Sequence, residues 1–331
     1  METSTRRASL AWACRIAAAA ALACGTAAMA QGYPTKPVKI IVPFPAGGTT
    51  DLVARLIAPA LGDKLGQPVL IENRGGAGGL LGADAVAKAP ADGHTLLLTN
   101  VSYPLSVLSA QRAKRLPFDA GADLATVSIV ANVPMILTAP PTVPAKDLRE
   151  FATLLRSNPS LQYAYGSTGP GSFLHVLGET FVRDAKLTLV HVPFKGAAPM
   201  KQEMLAGRIQ LGGDQLSTSL AEVRAGTLRA LATTAGQRAA LLPDVPTVRE
   251  LGFPVLESDG WNGIMVPGKT PPAVLAQLQR AIAAAVQQPD VLRRLQELGA
   301  EPLGSSAADM DALVRRQMAQ FKPVIDTLPL E

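Results

Sequence analysis

The sequence predicts an α/β fold on three observations: short β-branched runs, helix-period apolar segments between them, and glycine-rich turns joining the two. Val38-Lys39-Ile40-Ile41-Val42 reads as a strand stopped by Pro43 and Pro45. Gly47-Gly48-Thr49-Thr50-Asp51 follows, and Leu52, Val53, Leu56, Ile57, Ala60 and Leu61 then fall on one helical face. A strand over 69–71, a glycine loop over 75–79, a helix over 80–88 and a strand over 95–98 repeat the unit, which implies a helix-covered sheet with parallel strands. Strands over 128–130 and 135–137 come next, then a helix over 145–157 opened by Pro144. A strand over 187–190 ends at Pro193-Phe194-Lys195-Gly196 and is followed by a helix over 200–206. Strands over 209–211, 228–232 and 261–266 and helices over 272–287 and 307–322 complete the reading. No repeat of fixed period occurs, so the chain is not a solenoid.

Composition narrows the class further. The 331 residues are 48% hydrophobic with a formal net charge of +5, which excludes a disordered chain. Basic residues alternate with acidic ones without a Lys/Arg block, so no nucleic acid partner is expected. Residues 1–30 read as a signal peptide: Arg6, Arg7 and Arg15 precede an apolar stretch, and Ala28-Met29-Ala30 forms the A-x-A site that places cleavage after Ala30. Ser9 stands where a twin-arginine signal needs an apolar residue. Ala21-Leu22-Ala23-Cys24 resembles a lipoprotein box without its usual first leucine. Cys14 and Cys24 leave with the leader, so the remainder has no thiolate nucleophile, disulfide or cysteine-held metal. An exported protein is expected, without a cofactor.

The turns carry whatever chemistry the chain has. A helix N-terminus behind a glycine turn offers unpaired N–H groups and partial positive charge, which suits an anion. Pro43-Phe44-Pro45-Ala46-Gly47-Gly48-Thr49-Thr50-Asp51 is such a turn, with two hydroxyls at the expected cap. Glu72-Asn73-Arg74-Gly75-Gly76-Ala77-Gly78-Gly79 fails the dinucleotide fingerprint, because Leu81 takes the third glycine position. Gly263-Ile264-Met265-Val266-Pro267-Gly268-Lys269-Thr270 matches the P-loop pattern letter for letter. Its spacer, however, is strand-like, and Pro267, Pro271 and Pro272 remove donors a phosphate cradle needs. Ser172 and His175, three residues apart, define the alternative of a secreted serine hydrolase; no nucleophile elbow surrounds Ser172, and a helix cap is the simpler role. His94 and His191 have no partner at metal-ligand spacing, so no metal is expected.

Several stretches together resemble one family. They include Tyr33-Pro34-x-Lys36-Pro37, Pro43-Phe44-x-x-Gly47-Gly48-x-x-Asp51, Gly66-Gln67-Pro68-Val69 and Glu72-Asn73-Arg74-x-x-Ala77-Gly78-Gly79. Asp92-Gly93-x-Thr95-Leu96-Leu97, His191-Val192-Pro193-Phe194-Lys195-Gly196, Leu242-Pro243-Asp244-Val245-Pro246-Thr247 and Leu298-Gly299-Ala300-Glu301-Pro302 continue the likeness. The chain thereby resembles the Bug family, the extracytoplasmic solute receptors of tripartite tricarboxylate transporters. The resemblance implies a two-lobed periplasmic binding protein of type II, each lobe a helix-covered mixed sheet, with the ligand cleft between them. It implies lobe 1 over 31–131 and 259–331 and lobe 2 over 132–258, with crossovers near 129–133 and 257–261. It implies a small carboxylate ligand, the membrane subunits of a transporter as partners, a monomer, and no catalysis. Phe44, Ala46, Gly47, Gly48, Thr49 and Asp51 would hold the ligand from lobe 1, and Thr168, Gly171, Ser172 and Asp214 from lobe 2. Phe194 replaces a usual tyrosine, Gly212-Gly213 replace bulkier apolar residues, and Gln215 replaces an asparagine, which points to a roomier floor. Hydroxyls at Thr49, Thr50, Thr168 and Ser172 favour a mono- or dicarboxylate bearing hydroxy or amino groups, and 4% aromatic content argues against a sugar.

Overall fold

The computed structural model describes residues 32–328; the expected signal peptide, its cleavage site and Cys24 lie outside the described residues. The chain opens with β1 (Val38–Val42), α1 (Thr49–Leu65), β2 (Val69–Asn73), α2 (Leu80–Ala87), β3 (Thr95–Asn100), α3 (Ser102–Arg112) and β4 (Leu124–Asn132). It continues through β5 (Met135–Ala139), α4 (Leu148–Ser157), β6 (Ala164–Ser167), α5 (Phe173–Asp184), β7 (Val190–Pro193), α6 (Ala197–Leu205), β8 (Gly212–Gln215), α7 (Leu216–Arg224) and β9 (Arg229–Thr233). It ends with β10 (Trp261–Pro267), α8 (Pro272–Val286), α9 (Pro289–Glu297), β11 (Glu301–Pro302) and α10 (Ala307–Ile325).

The strands form a six-stranded sheet ordered β11-β4-β10-β3-β1-β2, a three-stranded sheet β8-β5-β9 and a pair β6-β7. β1 runs parallel to β2 and β3, whereas β10 runs antiparallel to β3 and β4, so the large sheet is mixed. Its inner strands are apolar on both faces: Ile40, Leu96, Leu97, Leu98 and Ile264 are fully or nearly fully buried between helices. α1 and α8 cover one face, using Val53, Ile57, Leu61, Leu278 and Ile282. The P-loop lookalike is strand β10 with a turn in which Thr270 donates to the Pro267 carbonyl, and Pro272 opens α8 as proline at a helix start should.

Several elements start where local chemistry, rather than apolar period, dictates. α4 begins at Leu148, not at 145, because the Asp147 carboxylate accepts from the Glu150 N–H and fixes the cap there. The expected strands over 187–190 and 209–211 lie about three residues too early; the paired segments are β7 and the polar β8. α3, α7, α9 and β6 have no counterpart in the sequence reading, although α9 is strongly amphipathic, burying Val291 and Leu295.

The chain leaves the large sheet after Asn132 and returns at Trp261, and these two segments touch. The Val133 N–H donates to the Gly260 carbonyl at 2.5 Å, and a Cβ at Gly260 would overlap the Val133 carbonyl. Behind them runs a buried polar chain. Asn100 Nδ2 donates to Thr50 Oγ1 at 2.9 Å, which donates to Asn262 Oδ1 at 2.9 Å. Asn262 Nδ2 donates to Gln215 Oε1 at 3.3 Å, and Gln215 Nε2 to the Val133 carbonyl at 3.3 Å. α10 clamps the second crossover: Trp261 Nε1 donates to Gln317 Oε1 at 2.7 Å, and Gln317 Nε2 donates to Ser258 Oγ and the Asp259 carbonyl.

Asn262 has no exposed surface and sits mid-chain. Its replacement by alanine strands Gln215 and breaks the link to Thr50, so Asn262→Ala should lower stability by about 2–3 kcal/mol. Urea unfolding measures this; a loss under ~0.5 kcal/mol would mean the chain is not a structural tie.

Candidate functional site

A cavity of about 990 Å³ lies between the large sheet and the β8-β5-β9 sheet. Its first wall is the turn from Pro43 to Thr50, which passes into α1. The helix is capped at Gly48, with no side-chain cap bond. The N–H groups of Thr49, Thr50 and Asp51 therefore open the helix with no carbonyl one turn back to accept them. The two threonine hydroxyls do not cap, contrary to expectation. Thr49 Oγ1 lies 2.5 Å from Ser217 Oγ on α7, and Thr50 belongs to the buried chain.

Asp51 holds this turn from behind. Its carboxylate accepts from the Gly47 N–H at 2.9 Å, from Arg55 Nε at 2.9 Å and from Asn73 Nδ2 at 2.9 Å, and Asn73 also donates to the Phe44 carbonyl. Burial pushes the Asp51 carboxyl up, but the bonds from Arg55, Gly47 and Asn73 together outweigh it and hold it below the ordinary value. Phe44, Ala46, Gly47, Gly48 and Thr49 border the cavity; Asp51 is buried and does not. Gly47 needs its glycine for a φ of +84°, and its N–H is already committed to Asp51. Gly48, at φ −76°, could carry any side chain without backbone strain, and a Cβ there would meet only the Pro45 carbonyl at 3.7 Å.

Thr168, Gly169 and Pro170 face the cavity from the other lobe; Gly171 and Ser172 are buried beside it and do not line it. Gly171 has φ +70°, and a Cβ there would stand 2.9 Å from Ser109 Oγ on α3, so its small size serves the approach of the two lobes. The Ser172 hydroxyl caps α5 by accepting from the His175 main-chain N–H at 3.4 Å. His175 Nδ1 accepts from the Gly171 N–H at 3.0 Å. Neither bond couples the hydroxyl to the imidazole, and neither residue reaches the cavity, so the serine hydrolase alternative is not supported. His175 instead stacks on His191, with ring centroids 4.1 Å apart and planes within 5°. His191 stacks in turn on Tyr165 and meets Ser167 Oγ through Nε2 at 2.7 Å. Among the described residues, no group of three metal-ligating side chains is assembled.

Asp214 lines the cavity at the end of β8, with a half-buried side chain. Its carboxylate accepts from Thr218 Oγ1 and from the Gln215 N–H. Burial pushes its carboxyl up, against the opposing effects of these two bonds and of the Lys201 charge. The room expected beside it at Gly212-Gly213 is already taken, since a Cβ at Gly212 would overlap the Met204 sulfur and one at Gly213 the Ile136 carbonyl. The sequence reading missed the polar lining from Asn73, Asn100, Ser102 and Ser106. It also missed Met135, Met200 and Met204. Only the Glu72-Asn73-Arg74 stretch gave any signal of these, through the resemblance.

Two α/β lobes with a cavity between them, the first built on a mixed sheet and the second, against expectation, on an antiparallel sheet with a separate parallel pair, define a periplasmic-binding-protein fold, one lobe presenting a helix opening and the chain crossing twice. The solved structure of the periplasmic binding protein BugD superposes with a TM-score of 0.80 at 32% identity, covering 88% of this chain and 97% of that one. MatC from Rhodopseudomonas palustris, solved with bound malate, superposes with a TM-score of 0.80 at 33% identity, covering 88% and 100%. A second R. palustris protein, solved with adipate, gives a TM-score of 0.80 at 33% identity over 88% and 97%. The protein BugT of Bordetella pertussis is 36% identical over 296 residues, 89% of this chain and 90% of that protein. The family model for the tripartite tricarboxylate transporter family receptor matches residues 53–330, and the chain belongs to that family.

The histidine stack gives a pH expectation. Burial holds the His175 imidazole below its ordinary value, opposed by the Glu179 charge. The unfolded chain titrates this group near pH 6.5. Between the folded value and ~6.5 the unfolded state binds the extra proton, so stability is full above that window and falls as pH falls through it. Melting temperatures from pH 7.5 to 5 should therefore drop more steeply in the parent than in His175→Asn. Parallel profiles would remove His175 from the acid response.

Proposed function

We propose that this protein is an exported periplasmic receptor that captures a small organic carboxylate and delivers it to the membrane subunits of a tripartite tricarboxylate-type transporter. The observation that carries the reading is the opening of α1 onto the cavity, where no side chain among the described residues caps the first-turn N–H groups. An anion there meets oriented donors and a partial positive charge, with the turn held in place by Asp51. The relatives solved with malate and with adipate support a carboxylate. The reading includes export by a leader cut after Ala30, a monomer, and lobes divided as 31–131 with 259–331 against 132–258. In it Phe44, Ala46, Gly48, Thr49, Thr168 and Asp214 touch the ligand. Gly47, Asp51, Gly171 and Ser172 shape the loops that do. Asp214 faces a donor group or an uncharged part of the ligand, because two carboxylates repel unless one is protonated. The ligand leaves chemically unchanged.

A thermal-shift screen of carboxylates against the mature chain tests the proposal. A ligand at a hundred times its Kd should add about 2.7 kcal/mol to stability. Gly48→Val keeps an allowed backbone conformation and sets two methyl groups into the space before the helix opening. It should melt as the parent does without ligand and lose at least tenfold in carboxylate affinity. Unchanged affinity in Gly48→Val would place the ligand elsewhere.

A further inference from the structure

The two walls of the cavity differ in chemistry. One is the α1 opening with Asn73, Asn100 and Ser102. The other is apolar: Met135, Leu174, Met200, Met204 and Leu228 border the same cavity from β5, α5, α6 and the approach to β9. Each of these five is at most 5% exposed, so the cavity reaches into the hydrophobic core of the second lobe. Three of the six methionines among the described residues stand on this one surface. Gly212 shapes it, since any Cβ there would overlap the Met204 sulfur.

The cavity's size does not come from lobes standing apart. Thr49 and Ser217 are hydrogen-bonded across the gap, Gly171 abuts Ser109, and a Cβ at Gly196 would lie 3.4 Å from the Pro45 ring. Behind these contacts the cavity of about 990 Å³ sits at the top of the ~300–1,000 Å³ range that encloses drug-sized ligands.

Two of the four charged residues in the lining, Lys201 and Asp214, point the same way; Arg115 and Lys195 also border the cavity. Lys201 Nζ is committed to the Thr218 carbonyl and to Glu222, so it is not offered to a second ligand carboxylate. Asp214 would repel one. Beside Lys201 and Asp214 the site therefore favours an uncharged group.

Resting on the receptor reading above, we propose that the ligand is an amphiphilic carboxylate. Its carboxylate seats at the opening of α1, and an aryl or medium-length alkyl body lies along the methionine and leucine wall. Methionine is unbranched and adaptable, so the wall accepts bodies of different shape rather than one outline.

Calorimetric titration of the mature chain with butanoate, hexanoate, 3-phenylpropanoate and malate tests this. Burying a methylene gains about fourfold in affinity, so hexanoate should bind at least tenfold more tightly than butanoate, and 3-phenylpropanoate more tightly than malate. Met204→Gln keeps the side-chain length but sets an amide on the wall, and should bring the hexanoate-to-butanoate ratio toward one; Met204→Leu should preserve it. Malate binding with no gain from butanoate to hexanoate would overturn the amphiphilic ligand and leave the receptor reading standing. Binding of none of the four acids would overturn the carboxylate reading itself. The ratio in the parent decides between these even if Met204→Gln does not fold.

Discussion

One line of buried amides and hydroxyls positions everything else at the site. It runs from Asn100 at the end of β3 through Thr50 and Asn262 to Gln215 and the Val133 carbonyl. Each partner sits where an element starts or ends, so satisfying the chain fixes several ends at once. A buried polar group left unpaired costs about 1–3 kcal/mol, which makes partial satisfaction a poor state. Thr50 is the second residue of α1, so the chain sets where that helix opens. Gln215 follows Asp214, so the same chain places the opposite side of the cavity. The two walls are thus referenced to one bonded line passing beside both crossovers.

In the receptor reading proposed above, that line sets a helix end, rather than the nearest guanidinium, as the anion seat. Arg55, the basic residue nearest the α1 opening in sequence, is turned to Asp51 and Asn73 on the outside of the turn. What this turn presents to the cavity is the helix end itself, worth about half a positive charge spread over N–H groups, while Arg115, Lys195 and Lys201 border the cavity elsewhere. Such a seat is strong only if the donors are already aimed. Asp51 aims them by taking the Gly47 N–H and by anchoring Asn73, which in turn holds the Phe44 carbonyl. Asp51 therefore matters to the site although it does not line it.

The sequence revealed what local chemistry decides. The Pro-Gly punctuation at 43–51 marks a strand-to-helix turn whatever surrounds it, and β10 was readable through its P-loop disguise because prolines deny donors. β8 was not readable: Gly212-Gly213-Asp214-Gln215 has little strand propensity and is extended because β5 pairs with it. The hydroxyls of Thr49 and Thr50 looked like caps, because a Thr after a glycine turn usually is one. Their actual partners, Ser217 and Asn262, lie 168 and 212 residues away. The apolar wall was illegible for the same reason, since Met135, Met200, Met204 and Leu228 meet only once the second lobe has folded.

Glycine gave the most instructive ambiguity. Gly78 and Gly171 sit in loops that looked like ligand cradles, and both admit α3, although Gly78 also borders the cavity. A Cβ at Gly78 would stand 2.6 Å from Ser106 Oγ, and one at Gly171 2.9 Å from Ser109 Oγ. A missing Cβ permits close approach of a ligand or of another backbone, and the sequence does not distinguish them. The outcome matters for how the lobes meet. Around the cavity they touch through glycines, serines and threonines, contacts that water can replace at a net cost of about 0.5–1.5 kcal/mol per hydrogen bond. The interior wall is methionine and leucine, for which water is a poor substitute. In the receptor reading, the fit between the lobes then depends less on the rim than on what fills the interior.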